Sequence, residues 1–382
     1  MVVFWYVLVP VVGAFISRHA WRVFRKRFDE LRLRPLLDYG HCQQAEEGVY
    51  RFIGGFESIT DGHTLWVKSD TLTIPVALAG AYIYILPMLE DDTIPESFDP
   101  GAEVPERIRW DQISVVTEGA RVFVGGPVIH QAKQWRFVSS REHPLLIIFY
   151  DGHDRSLTVR AIRAGRHKNE YWNAATPYAF IAGTFCQIIM AVSFLSRPAF
   201  RLTSITAMIA LFIPLLPFIP PAFLCTVLCR RLWKRAKIFR AYRDLARLPL
   251  IYMPRGQGRR SGTWECRLPE GERYGVVYYA SLPAEALEIQ VPLLIPETEN
   301  KKSGWYIFGS IPEGSSTNPN PVPREPQDCF ATFGGVPGNP AKLALRYTIQ
   351  AYLLELGATF LLLTGIGINI FFIVIIIVLA LI

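Results

Sequence analysis

The stretch Gly357-Ala-Thr-Phe-Leu-Leu-Leu-Thr-Gly-Ile-Gly-Ile-Asn-Ile-Phe-Phe-Ile-Val-Ile-Ile-Ile-Val-Leu-Ala-Leu-Ile382 decides the fold. It has no charged side chain, and from Ile370 onward no polar one. A helix that crosses the hydrocarbon layer of a bilayer needs about 20 mostly apolar residues, and this run supplies them. The stretch before it, 343–356, is apolar but holds Arg346, Gln350 and Glu355. It reads as an amphipathic helix lying at the membrane surface. Gly365 and Gly367 offer a place for a second helix to approach closely.

Working back along the chain, three more apolar runs reach spanning length: 1–17, 176–196 and 203–229. The first has its bases after the apolar core (Arg18, Arg22, Arg25, Lys26, Arg27) rather than before it. That order is the reverse of a secretory signal and predicts an uncleaved anchor. The third contains Pro214, Pro217, Pro220 and Pro221. Each removes a helix hydrogen bond and crowds the preceding turn, so the span must kink or break. The carbonyls it frees then need protein or water partners.

Four such runs in a chain of 382 residues, 51% hydrophobic and only 19% charged, exclude a simple soluble enzyme and a disordered protein. The net charge of +7 is explained by position. Residues 18–176 carry 20 Lys and Arg, 197–202 carry two, and 229–347 carry the remaining 18. Basic side chains stay on the cytoplasmic side, which puts both large segments inside the cell and the termini outside. The expected location is the cell (inner) membrane.

Two basic segments flank the spans. Residues 18–44 and 230–248 interleave Arg and Lys with Trp21, Phe24, Phe28, Trp233 and Phe239. Both read as juxtamembrane helices whose Arg22, Arg25, Lys26, Arg27, Arg230, Arg231, Lys234 and Arg235 meet anionic lipid. Tyr171 and Trp172, just ahead of the second span, read as interface anchors.

Between these helices the pattern changes to β. Residues 45–165 predict a cytoplasmic domain of many short strands, an OB-like small barrel or sandwich. Expected strands lie at 49–53, 56–59, 64–67, 72–78, 82–86, 113–116, 121–124, 136–139, 145–150 and 157–162. Asp61-Gly62 predicts a tight hairpin turn, and Asp151-Gly152 a second turn. Glu90 to Glu106 carries seven acids, no base and three prolines, and reads as a solvated loop. A second β-rich region spans 260–335, with strands expected at 263–268, 274–280, 287–295 and 305–311 and a proline-rich loop at 310–327. The hairpin of spans returns the chain to the same face, so the two β regions are expected to pack together. The fold class is thus membrane α-helical, with about four transmembrane helices, plus a cytoplasmic all-β domain.

The chemical signatures are sparse. The chain has no phosphate-binding Gly-x4-Gly-Lys loop, no Gly-x-Ser-x-Gly elbow, no His-Glu-x-x-His and no kinase set. Cys42, Cys186, Cys225, Cys229, Cys266 and Cys329 form no Cys-x-x-Cys pair. No catalytic, cofactor or metal residue is assigned. His63 and His153 each follow an Asp-Gly turn, and His41-Cys42 is an isolated pair.

The strings Arg51-Phe-Ile-Gly-Gly-Phe-Glu57, Thr64-Leu-Trp-Val67, Glu118-Gly-Ala-Arg-Val-Phe-Val-Gly125 and Asn169-Glu-Tyr-Trp-Asn173 resemble an uncharacterised family of spirochaete-type bacterial multi-pass membrane proteins. The likeness covers mainly residues 45–250 and implies no activity. The first β domain also looks like the OB-like modules of NfeD-type proteins and the beside-a-membrane domain of GIDE-type proteins, without the RING cysteines on which GIDE-type ligases depend.

Three functions follow as expectations. The first is a non-enzymatic inner-membrane protein whose β module binds or organises other proteins. The alternatives are a transporter or transporter subunit using the broken third span, and a membrane-bound hydrolase using His63, His130, His143 or His153 with carboxylates. The expected partners are a bilayer with anionic lipids, unidentified proteins and a possible second copy of the chain, with no nucleic acid.

Overall fold

The computed structural model describes residues 1–39, 46–87, 105–117, 119–131, 134–168, 170–253, 263–268, 271–296, 304–312 and 321–381. His41-Cys42, Glu118, Asn169, most of the acidic loop and residues 313–320 of the proline-rich loop lie outside them. The chain divides into two compact units. One comprises Met1–Arg22, Gly165–Arg240 and Tyr347–Ile382; the other comprises Val23–Ala164 and Ala241–Arg346.

The first unit is helical. Among the described residues, four helical segments are long and apolar enough to cross a membrane: Phe4–Leu31, Ala175–Leu195, Pro198–Phe218 and Pro340–Ile376. Small residues bring them together. A Cβ on Gly183 would lie 2.7 Å from the Tyr6 ring and 2.8 Å from Trp5, so only hydrogen fits there. Gly365 plays the same part against Ala222 and Cys225, whereas Gly367 faces open space. The Ser204 hydroxyl donates to the Ala191 carbonyl at 2.8 Å, joining the second segment to the third. The outer sides stay apolar and uncovered, with Phe185 62%, Val192 68% and Phe371 61% exposed.

Several helix boundaries differ from the sequence reading. Residues 1–17 and the basic stretch after them form one helical run from Phe4 to Leu31. Nothing between Ser17 and Leu31 breaks a helix, so the charges change its surroundings but not its backbone. The stretches 343–356 and 357–382 likewise merge into the single helix Pro340–Leu381. The third span does break. Its helix Arg201–Ala210 passes into a 3-10 turn, Ile213–Phe218, and ends before Pro220-Pro221. A new helix, Ala222–Arg247, takes residues 222–229 and carries the basic stretch.

The second unit is mainly β. Strands β1 (Gly48–Thr60), β2 (Thr64–Lys68), β3 (Thr73–Ala77), β4 (Tyr82–Ile85), β5 (Glu106–Ile108), β6 (Arg121–Gln131), β7 (Gln134–Phe137) and β8 (Leu146–Tyr150) form one sheet. Five of them close a ring, β1-β2-β3-β7-β6, sealed by pairing of β6 back onto β1. The β3–β7 pair is parallel and the other four are antiparallel. β1 is one long strand where two were expected. Its first half pairs with β6 and its second with β2, and the switch falls at Gly54-Gly55. A Cβ on Gly54 would lie 2.3 Å from the Lys68 carbonyl oxygen, so that crossing demands glycine. Asp61 and Gly62 both take positive φ, 57° and 66°, as the expected Asp-Gly turn requires. Alternation fills the interior with Phe52, Leu65, Val67, Ile74, Val76, Val124 and Phe137.

Three expected strands are not strands. Residues 157–162 lie in the helix Asp154–Arg163. Asp154 in its first turn and Arg160 and Arg163 in its last complement the helix dipole, which outweighs the β-branched residues between them. Residues 113–116 fall in and just after the 3-10 turn Trp110–Val115, where the Gln112 side chain accepts from the Arg109 N–H at 3.1 Å. Residues 287–295 begin in the short helix Ala284–Glu288 and continue without a ladder, because Pro292 cannot donate to one.

β9 (Trp264–Arg267), β10 (Arg273–Tyr279), β11 (Trp305–Ser310) and β12 (Gly334–Pro337) form an antiparallel sheet ordered β12-β11-β10-β9. The segment between β11 and β12 lies against the ring, so the two β regions meet as expected. The Arg51 guanidinium on β1, 1% exposed, pairs with Asp328 at 2.9 Å and lies over the Phe330 ring. Arg32, fully buried, donates to the Phe330 carbonyl at 3.1 Å and the Thr332 hydroxyl at 3.0 Å, and pairs with Asp29 at 2.6 Å. The Phe123 and Phe330 rings meet at 5.2 Å.

Candidate functional site

Within the β unit, one rim of the closed ring carries a groove of about 310 Å³. That volume is at the lower end for a small-ligand site. Three parts of the ring build it. The β1–β2 turn supplies Thr60 and Asp61, the outer face of β2 and β3 supplies Trp66 and Pro75, and the β6–β7 hairpin supplies Gln131, Gln134 and Arg136. Strand alternation places Trp66 there: Leu65 and Val67 point inward and are fully buried, so the residue between them faces out. The Trp66 indole N–H donates to the Thr60 hydroxyl at 3.0 Å. The Arg136 guanidinium donates to the Thr64 hydroxyl, also at 3.0 Å. Both side chains are therefore fixed before any ligand arrives.

The groove offers an indole face, a proline ring, two primary amides, hydroxyls, one cation and one anion. Its formal charge balances. A nucleic-acid track would need an excess of cations, and Asp61 works against one. The set suits an uncharged extended chain whose amides meet Gln131 and Gln134 and whose apolar side chain lies on Trp66.

The basic residues expected to meet lipid divide into two groups. Arg22, Lys26, Arg230, Arg231, Lys234 and Arg235 are exposed. Arg25 and Arg27 are engaged within the protein. The Arg25 guanidinium donates to the Ala164 carbonyl at 2.7 Å, and that of Arg27 lies over the Tyr82 ring at 4.6 Å. The expected interface anchors also take different roles. Trp172 is 51% exposed and meets Phe180 edge-on. The Tyr171 hydroxyl donates to the Tyr6 carbonyl, tying the two N-proximal spans together, and burial pushes it up to about 12. Asn173, which closes the Asn169-Glu-Tyr-Trp-Asn173 string, donates to the Pro10 carbonyl at 2.8 Å.

The histidines of the hydrolase reading stand on separate elements: His63 in the β1–β2 turn, His130 on β6, His143 in the loop before β8 and His153 at the start of the Asp154–Arg163 helix. The His130 ring packs on Trp135 at 4.9 Å. Among the described residues, no three His, Cys, Asp or Glu form a group that could hold a metal ion. Comparison with family models, with curated proteins and with solved structures finds no match.

Of the groove, the Asp61-Gly62 turn and the strands bearing Trp66 and Arg136 were legible in sequence, but not the groove they line. Gln131 and Gln134 were missed, because the expected strands 121–124 and 136–139 stop short of the hairpin that carries them.

Proposed function

We propose that this is a non-enzymatic multi-pass protein of the inner membrane whose β unit works in the cytoplasm as a scaffold, holding a segment of another protein in the Trp66 groove. The observation that carries the reading is the groove itself: preset aromatic, amide and guanidinium groups of balanced charge, aligned along one rim of a closed ring. Membrane residence is supported by four span-length segments whose sides leave Phe185, Val192 and Phe371 largely exposed, since apolar area on that scale is costly in water. The ring order β1-β2-β3-β7-β6, with β3 and β7 parallel, supports an OB-like barrel, a fold whose rim and second and third strands commonly bind ligands. The count of basic residues supports a cytoplasmic β unit.

The broken third span favours a structural bend over a transport path. The Asn369 amide donates to the Leu216 and Ile219 carbonyls at 2.8 and 2.9 Å, and the Thr226 hydroxyl donates to Pro217 at 3.1 Å. Three carbonyls of the bend, those of Leu216, Pro217 and Ile219, thus already have side-chain donors.

Co-purification in a mild detergent, with Trp66→Ala and Arg136→Ala alongside the natural chain, tests the proposal. A partner should copurify with the natural chain and be lost from both variants. A chain that always runs alone, or a partner that both variants retain, would refute it.

A further inference from the structure

Glu170 to Asn173, the described part of the Asn169-Glu-Tyr-Trp-Asn173 string, lies outside the groove and directly ahead of the helix Ala175–Leu195. Against it, the first helix departs from regular geometry. Over Phe4–Leu8 its turns widen, and the Val9 N–H reaches back five residues to the Phe4 carbonyl. Such wide turns are rare and recur at functional sites. Pro10 follows at once. It has no N–H, so the carbonyl four residues before it, that of Tyr6, loses the donor a regular helix supplies. The Tyr171 hydroxyl donates to that same oxygen. The Asn173 side-chain N–H donates to the carbonyl of Pro10 itself at 2.8 Å. Its Oδ1 accepts from the Ala175 N–H at 3.0 Å, so one side chain serves the start of one helix and grips another. Gly13 leaves the room, since a Cβ there would lie 2.6 Å from Asn173 Oδ1.

We infer that the first helix is hinged over Phe4–Pro10 and that Tyr171 and Asn173 are the catch that holds the hinge shut. A helix bends where its ladder is interrupted, and here a wide turn and a proline interrupt it together. The turns ahead of Pro10 are held against the second segment by the two carbonyl contacts, by the Tyr6 hydroxyl beside that of Thr184 at 3.4 Å, and by the Tyr6 ring against Gly183. Tyr6 is 2% exposed, and an oxygen left without a donor in such surroundings is costly. Tyr171 is therefore a positioning residue: its hydroxyl stands in for the N–H that Pro10 lacks. The catch lies wholly within the helical unit and is independent of the Trp66 groove.

The test uses the full chain in a mild detergent and reads backbone amide exchange by mass spectrometry over residues 2–9 and 14–21. Tyr171→Phe, which removes only the hydroxyl, should speed exchange over 2–9 roughly fivefold, the worth of one hydrogen bond, and leave 14–21 unchanged. Asn173→Asp, which keeps the acceptor for the Ala175 N–H but loses the donor to Pro10, should act on the same residues. Pro10→Ala restores the missing N–H, so in that background Tyr171→Phe should have no further effect on 2–9. Failure of either single variant to speed exchange over 2–9, equal acceleration of both stretches, or an undiminished effect of Tyr171→Phe beside Pro10→Ala would overturn the inference.

Discussion

The helical unit carries 12 basic and two acidic side chains, while the β unit carries 28 and 31. The two units also use their charges differently. In the helical unit the outward bases Arg230, Arg231 and Arg235 stand exposed along one helix. In the β unit the most deeply buried charges, Arg32 and Arg51, each have a carboxylate opposite and an aromatic ring or carbonyl beside them. The difference teaches that one basic composition serves two purposes. A charge on the exposed side of a helix is solvated and needs no carboxylate beside it. A charge inside a folded unit must bring its partner with it.

The sharpest way to break that contrast is to remove one internal partner. Asp328→Ala leaves the Arg51 guanidinium buried without its carboxylate, and also removes the acceptor for the Phe330 N–H at 3.0 Å. Loss of one member of a buried pair costs about 3–5 kcal/mol, so denaturant unfolding of the β-unit signal should show a loss of that order. Arg230→Ala in the helical unit should change stability by no more than about 0.5 kcal/mol. Equal effects would mean that the two units do not treat charge differently.

An intermediate effect is expected at Asn369, in the apolar C-terminal half of the longest helix. Asn369→Leu takes away two hydrogen bonds to the bend of the third span. Interhelical polar contacts in bilayers contribute about 0.6 kcal/mol on average and at most about 1.7, and two carbonyls are at stake here. Thermal unfolding in detergent should shift down accordingly, with the β-unit signal unchanged. An unshifted transition would show that water satisfies those carbonyls.

Much of this contrast could be read from sequence, and where it could not the cause is physical. The apolar runs were visible because a span-length helix is defined by many consecutive residues of one kind, and the Asp61-Gly62 turn because positive φ selects few residue types. Asn369 passed unnoticed since its meaning lies in Leu216 and Ile219, some 150 residues away. Four prolines in one span predicted orphan carbonyls, and the matching signal was a lone amide in another span. Arg32 and Arg51 looked like ordinary members of basic or alternating stretches. Only the fold shows that Asp29, Asp328 and Phe330 meet them. The helix Asp154–Arg163 was misread because its β-branched residues outvoted its charged ends.

No effect on stability near neutral pH, but a large one on reactivity, is expected at Cys329. Burial pushes its thiol up to about 12, with Asp328 and Asp154 adding to the shift. An unfolded thiol near 9 is about one-tenth thiolate at pH 8, and one near 12 about one ten-thousandth, so alkylation of the folded chain should be roughly a thousandfold slower. The sign for stability follows from the same values. A raised folded pKa means that the folded state holds its proton longer than the unfolded chain does. Below pH 9 both states keep the proton and Cys329 gives no pH dependence; between 9 and 12 stability falls as pH rises. Alkylation followed by mass spectrometry at pH 8, with and without denaturant, checks the first statement, and unfolding at pH 8 against pH 10 checks the second. Fast labelling of the folded chain would mean that the segment bearing Asp328 lifts away from Arg51, and the pairing that distinguishes the β unit would then be only transiently closed.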